Sequence, residues 1–226
     1  MLGKVEKSNM LMEVFLDHNK KMAALVGGEF ANGTLDRYKT PFRHTEEFLT
    51  AHYNIVDIDI RRIDYAFISA YDFYLRSVCK CANNTALKYL NNFGKIIRIC
   101  LSNGWITVNP FANYKRKIKT IDRVCLTKNE LQRMAHKDFD INRLNQVRDV
   151  FLFCCFTELA YIDIKKLKTS QIAMGLDGEQ WIFIKRQKID TKSSISLLPN
   201  TIKLIAKYSN HPLCVYKDMP LPVPSN

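Results

Sequence analysis

The chain has no apolar run that approaches the roughly 20 residues needed to cross a bilayer. Phe151 to Phe156 falls far short of it. A leader-like segment is also missing, because Met1 to Lys21 mixes charge with Met and Leu and holds no continuous apolar stretch. The seven cysteines cannot all pair, and Cys154 and Cys155 sit inside an apolar run, so a disulfide scaffold is excluded and a reducing compartment is expected. Beyond Cys79 and Cys81 there is no second Cys or His pair at ligand spacing, so no zinc site or other metal is expected. These absences predict a soluble, cytoplasmic protein.

Acidic residues are also in short supply: 22 Asp and Glu against 34 Lys and Arg leave a formal charge of +12. Each cation that neutralises a phosphate releases a condensed counterion, so such a balance points to a polyanion. An inert basic surface is the alternative. With 226 residues, 47% of them apolar, the chain can bury one or two cores, and its size favours two domains.

Hydrophobic spacing predicts a first helix from about Val5 to Val26, stopped by Gly27-Gly28. A second runs from Thr34 to Tyr53, with Thr34 as cap and Pro41 kinking or splitting it. After a short extended piece, Asp57 to Ile60, Asp64 caps a third helix with inner residues Phe67, Ile68, Tyr71, Tyr74 and Leu75. Asn83 or Asn84 opens a fourth, whose Leu87, Leu90, Phe93, Ile97 and Leu101 form one stripe. The pattern then dissolves into NPFANYKRKIKTIDRVC, read as a basic interdomain linker. This gives a helical domain over 1–108, a linker over 109–126 and a second domain over 127–226. Thr127 to Glu130 has the S/T-x-x-E form of a capping box, and a helix over Arg143 to Phe156 follows. Short strands are expected at Ser170 to Ala173, Gln180 to Lys185 and Ser194 to Leu198, then a helix to about Tyr208 and a Pro-rich end, MPLPVPSN, that closes nothing.

The stretch VRDVFLFCCFTELAYIDIKKLK, Val147 to Lys168, resembles the first active-site box of the tyrosine recombinases, the phage-integrase type of strand-exchange enzyme, which reads Thr-Gly-Leu-Arg, then an acidic residue and Leu. Thr157, Leu159, Asp163, Ile164 and Leu167 fit; Glu158 replaces the usual Gly and Ala160 the first catalytic Arg. RYKTPFRHTEEFL, NTALKYL, NGWITVNPF, LTKNEL and WIFIKRQK are similar, in order and spacing, to integrases of mobile elements in Bacteroides-type bacteria. The resemblance implies a mainly α fold with a small β-sheet: a helical SAM-like core-binding domain followed by the front of a mixed α+β catalytic domain.

It also implies chemistry. In that family a Tyr hydroxyl attacks a phosphodiester, giving a 3′-phosphotyrosyl DNA link without metal or cofactor, while cations stabilise the charge gathering on the non-bridging oxygens. The family's hairpin Lys matches Lys188, with Lys192 as second choice, and its first-box acid matches Asp163. For the missing Arg, Arg148 on the preceding helix is the expected substitute, a pairing with Asp149 or Glu158 being the alternative. The family's second box, His-x-x-Arg, occurs nowhere, so the chain is expected to end inside the catalytic domain and to bind DNA without cleaving it.

Double-stranded DNA is the expected partner, with homo-oligomers on DNA, tetrameric in full-length family members, and no membrane. The residues expected to hold it fall in three clusters: Asn84, Thr85, Lys88, Asn92, Lys95 and Arg98 on the fourth helix; Arg37, Lys39 and Arg43 on the second; and Lys115, Arg116, Lys117 and Lys119 in the linker. Two other readings stay open: a catalytically inactive DNA-binding regulatory or excision factor, and an interaction module whose charge is incidental.

Overall fold

The computed structural model describes residues 8–186 and 191–224. The chain divides into two compact units, residues 1–122 and 123–226, each with a core of its own.

The first unit is a helical bundle of α1 (Leu11–Ala24), α2 (Asn32–Phe48), α3 (Tyr65–Ser77) and α4 (Asn83–Ser102). No side chain of its own caps α1. Its first donors are met from a distance, Leu11 N–H by the Ile58 carbonyl at 2.9 Å and Met12 N–H by Asp57 Oδ1 at 2.8 Å. That places the 57–60 segment against the bundle; only Asp59 in it pairs as a strand, in an isolated bridge with Met10.

The second helix departs from expectation. It starts at Asn32, with Ala31 rather than Thr34 before it, and Pro41 neither splits nor ends it. A helical Pro leaves the carbonyl four residues back without its donor. Here that carbonyl belongs to Arg37, and Asn92 Nδ2 of α4 supplies the missing hydrogen bond at 2.8 Å. The Pro41 carbonyl in turn accepts from Thr45 Oγ1 at 2.7 Å and from the Tyr71 hydroxyl at 3.3 Å. Thr45 and Tyr71 are both fully buried, so a polar knot holds α2 to α3 inside an apolar bundle. A π-helical turn, Leu49–Tyr53, continues α2 and ends at Asn54 in the left-handed region. Phe48 at this junction is ringed by Tyr53, Phe67, Tyr71 and Tyr74 at centroid distances of 5.1–5.6 Å. Asp64 caps α3 by accepting from Phe67 N–H at 2.8 Å, and of the α4 stripe Leu87, Leu90, Phe93 and Ile97 are buried while Leu101 is half-buried.

The second unit holds α5 (Lys128–His136), α6 (Asn142–Thr157), α7 (Tyr161–Lys166), α8 (Pro199–Tyr208) and α9 (Pro212–Lys217) around an antiparallel sheet ordered β1-β2-β3. The strands are β1 (Ile172–Met174), β2 (Gln180–Lys185) and β3 (Lys192–Ser196). The Thr127/Glu130 capping box forms in both directions. Gly175 sits under Trp181, and a Cβ there would come within 2.5 Å of the indole, so only Gly lets the β1–β2 turn close beneath that ring. Strand β3 begins two residues earlier than predicted, which places Lys192 in the ladder opposite Lys185 rather than in a free turn. The Pro-rich end is likewise not idle. Leu221 is fully buried in the second core, and the Tyr161 hydroxyl donates to the Pro224 carbonyl at 2.9 Å.

Candidate nucleic-acid interface

Helix α4 organises the first unit's basic residues. Positions 84, 88, 95 and 98 fall within an arc of about 80° at 100° per residue, and Lys88, Lys95 and Arg98 are exposed. Two sequence-distant clusters are tied to the same helix. Toward its middle, Asn92 holds the Arg37 carbonyl, and Lys95 Nζ donates to the Tyr38 hydroxyl at 2.7 Å, which draws the basic part of α2 alongside. At its start, Asn83 Nδ2 donates to the Lys117 carbonyl at 2.9 Å. Asn84 grips Lys119 at both main-chain groups, donating to its carbonyl at 2.7 Å and accepting from its N–H at 3.0 Å.

The segment read as an interdomain linker from residue 109 is therefore, as far as Lys119, a turn over 110–113 followed by an irregular strap fastened to the first unit. Phe111 lies in that unit's core, and the Arg116 guanidinium stacks over the Phe111 ring at 5.4 Å beside Gly94. A Cβ at 94 would make ordinary contact with both, at 3.6 Å. The side chains of Lys115, Lys117 and Lys119 stay exposed. Fixing the main chain while freeing the ammonium groups suits contacts to a phosphate backbone, which position a protein without reading sequence.

Several predicted contacts are otherwise engaged. The amides of Asn84 and Asn92 each hold a main-chain group, which fastens this surface together. Lys39 and Arg43 are exposed and paired with Asp36 at 3.4 Å and Glu47 at 3.6 Å, contacts weak enough to be exchanged for phosphates. Thr85 is half-buried in the first turn of α4. Among the described residues, His44, Glu47 and Cys79 bring ligand atoms within 4.8 Å of one another. The sequence pattern hid this, because the helical pair and the Cys come from separate elements.

In the second unit the first-box turn closes α6. Thr157 Oγ1 donates to the Phe153 carbonyl at 2.7 Å, and Glu158 then takes φ 55°, the left-handed conformation that a Gly adopts without cost. Ala160 is exposed and precedes α7. Asp163 is not a surface carboxylate: only 4% is exposed, on the inner side of α7.

Arg148 does not face this turn freely. Its Nε donates to Asp149 Oδ1 at 2.7 Å and its Nη1 to the Lys137 carbonyl, while Asp149 also accepts from Lys207 Nζ and the Tyr208 hydroxyl, each at 2.7 Å. Burial alone would raise the Asp149 carboxyl, but the donors from Arg148, Lys207 and Tyr208 outweigh it and hold it below the ordinary carboxylate value. The same burial, with the carboxylate beside it, pushes the Tyr208 hydroxyl well up. Arg148 thus belongs to a buried ion-pair network, the alternative reading of that residue. Lys188 lies outside the described residues.

Residues 10–118 match the phage integrase SAM-like domain family. No match is found among curated proteins. Among solved structures, the chain is similar to a lambda integrase tetramer bound to a Holliday junction, with TM-score 0.71 and 16% identity over 92% of this chain and 58% of that one. It is also similar to the Tn1549 transposon integrase in complex with circular intermediate DNA, with TM-score 0.68 and 9% identity over 90% of this chain and 66% of that one. The XerH site-specific recombinase bound to difH substrate gives TM-score 0.61 and 13% identity over 88% and 68%. At such identities these likenesses establish the fold. The chain spans 58% of the lambda integrase chain and 66% of the Tn1549 integrase chain.

Proposed function

We propose, from the phage integrase SAM-like domain match over residues 10–118 and the integrase-like fold, that this chain belongs to the tyrosine recombinases and is the DNA-holding part of a site-specific recombinase. The first unit grips duplex phosphates through α4 and the strap. The second carries the first-box turn and the β2–β3 hairpin that serve a scissile phosphodiester. In the whole protein a Tyr hydroxyl would attack that phosphorus, and cations set around the non-bridging oxygens would stabilise the transition-state charge. Asp163, buried behind the first-box turn, fits an orienting part. Lys188 remains the proposed hairpin cation. Assembly of several copies on DNA goes with this reading.

One observation carries the proposal: two basic clusters, some eighty residues apart, are fastened by side-chain amides and a Lys–Tyr hydrogen bond to the helix that carries the third. Such fastening is hard to explain for incidental charge.

The test is duplex binding by fluorescence anisotropy at two or more salt concentrations. Binding should weaken steeply as salt rises. Replacing Lys115, Lys117 and Lys119 together by Gln should lower the slope of log K against log salt by about 2–3, since each phosphate contact contributes about 0.9. Sequence preference should be unchanged. Salt-insensitive or absent binding would overturn the reading. The exposed methyl of Ala160, where the family places a cation, favours a second reading, a DNA-binding regulatory factor that does not cleave. The two part in a nicked-substrate assay with the full-length protein, where only a recombinase leaves a covalent adduct.

A further inference from the structure

Strand β2 ends at Lys185, and Arg186 follows it, its N–H donating to the Thr191 carbonyl at 2.9 Å. The side chain is half-buried, and its Nε is sealed from solvent with no hydrogen-bond partner among the described residues. No other side-chain nitrogen or oxygen among them is buried and unsatisfied. A fold rarely keeps such a donor, because its hydration is lost with nothing gained in return. The arginine lines an open cleft of about 510 Å³ together with Thr157 and Glu158 of the first-box turn and the serines 193, 194 and 196 of β3. A guanidinium with an idle buried donor, beside several hydroxyls, has the complement of an oxyanion. Guanidinium suits this better than ammonium, since its planar fork meets two oxygens of one phosphate at once.

We propose that Arg186 is a phosphate-binding residue, and that this cleft takes a DNA phosphodiester oxygen in place of the cation absent at Ala160. The inference rests on the recombinase reading and deepens it. Two residues after Glu158 the chain presents only a methyl, yet the adjacent strand end delivers a guanidinium into the cleft that the same turn lines. Arg148, committed to Asp149, is released from that role. Glu158 lines the cleft as well, and its carboxylate opposes anion binding, so Glu158→Gln should tighten it.

The test follows the Nε–H resonance of Arg186 by NMR in the intact chain while inorganic phosphate is added. A saturable shift is expected at millimolar phosphate, together with at least tenfold weaker phosphate binding in Arg186→Gln and no change in the exposed control Lys203→Gln. Arg186→Lys keeps the charge without the fork and should bind with intermediate strength, which covers the case of a Gln variant that fails to fold. A resonance that ignores phosphate, or that moves on Glu158→Gln alone because the carboxylate was its partner, overturns the proposal. Duplex binding by the same sample separates the two levels. DNA bound with a stationary Nε–H sinks only the Arg186 assignment, whereas a phosphate-responsive Nε–H without duplex binding sinks the recombinase reading.

Discussion

A single carboxylate shows how much of the second unit depends on one residue. Asp149 is 1% exposed and accepts hydrogen bonds from Arg148, Lys207 and Tyr208. Removing its charge leaves Arg148 buried beside nothing that compensates it, so Asp149→Asn should cost about 3 kcal/mol at neutral pH. Because folding holds this carboxyl below its ordinary value, its contribution is complete above the unfolded value near ~4 and disappears as pH falls through the lowered folded value. Urea denaturation at pH 7 and at pH 3 should therefore show the gap between wild type and Asp149→Asn narrowing at the lower pH. A gap that stays constant would mean that the Asn acts by disturbing packing alone. The sequence offered the Arg148–Asp149 pairing as an alternative, but the burial of the pair and the donors from Lys207 and Tyr208, some sixty residues on, could not be read from it.

Helix α4 and the strap are the instructive case at the scale of elements. The apolar stripe of α4 was plain from its spacing, and so was the basic run that follows Asn109-Pro110. What the spacing could not show is that Asn83 and Asn84, read as a helix opening, reach thirty-odd residues along the chain to hold the main chain of Lys117 and Lys119. A side-chain amide that both donates to and accepts from one residue imitates a strand partner, and a typical hydrogen bond contributes about 1 kcal/mol. Asn84→Ala should leave the bundle folded but release the strap. Limited proteolysis should then cut sooner after Lys117 and Lys119, and thermal unfolding of the first unit should shift by only a few degrees. Cleavage at the wild-type rate would show that Phe111 and Arg116 suffice to hold the segment. The uninterrupted passage of α2 through Pro41 was equally hidden, because Asn92, which meets the freed Arg37 carbonyl, lies on another helix.

In the whole molecule, two cores are built on separate sets of aromatics. Phe48 anchors the first and Phe153 the second, and both are fully buried. The two tryptophans fall one to each unit, Trp105 and Trp181, which gives each core its own reporter. In single-Trp variants, Phe48→Ala should move the Trp105 transition and Phe153→Ala the Trp181 transition, each by about 3–5 kcal/mol. A Phe48→Ala effect confined to the Trp181 signal would contradict the assignment of cores.

The amino-acid sequence by itself determined the fold class of this protein, with helices from 3.6-residue spacing and a small sheet from short alternating runs, and it supplied the net charge and the residues around Thr157 on which the proposed partner and family rest. Those properties are local or compositional, and neighbours in the chain suffice to express them. Tertiary structure alone decided which polar groups remain free. It committed Arg148 to Asp149, turned Asp163 inward, used Asn84 and Asn92 as fasteners and left the Nε of Arg186 without an acceptor among the described residues. A hydrogen bond needs two atoms within about 3 Å, and where those atoms lie dozens of residues apart, only the folded chain can bring them together.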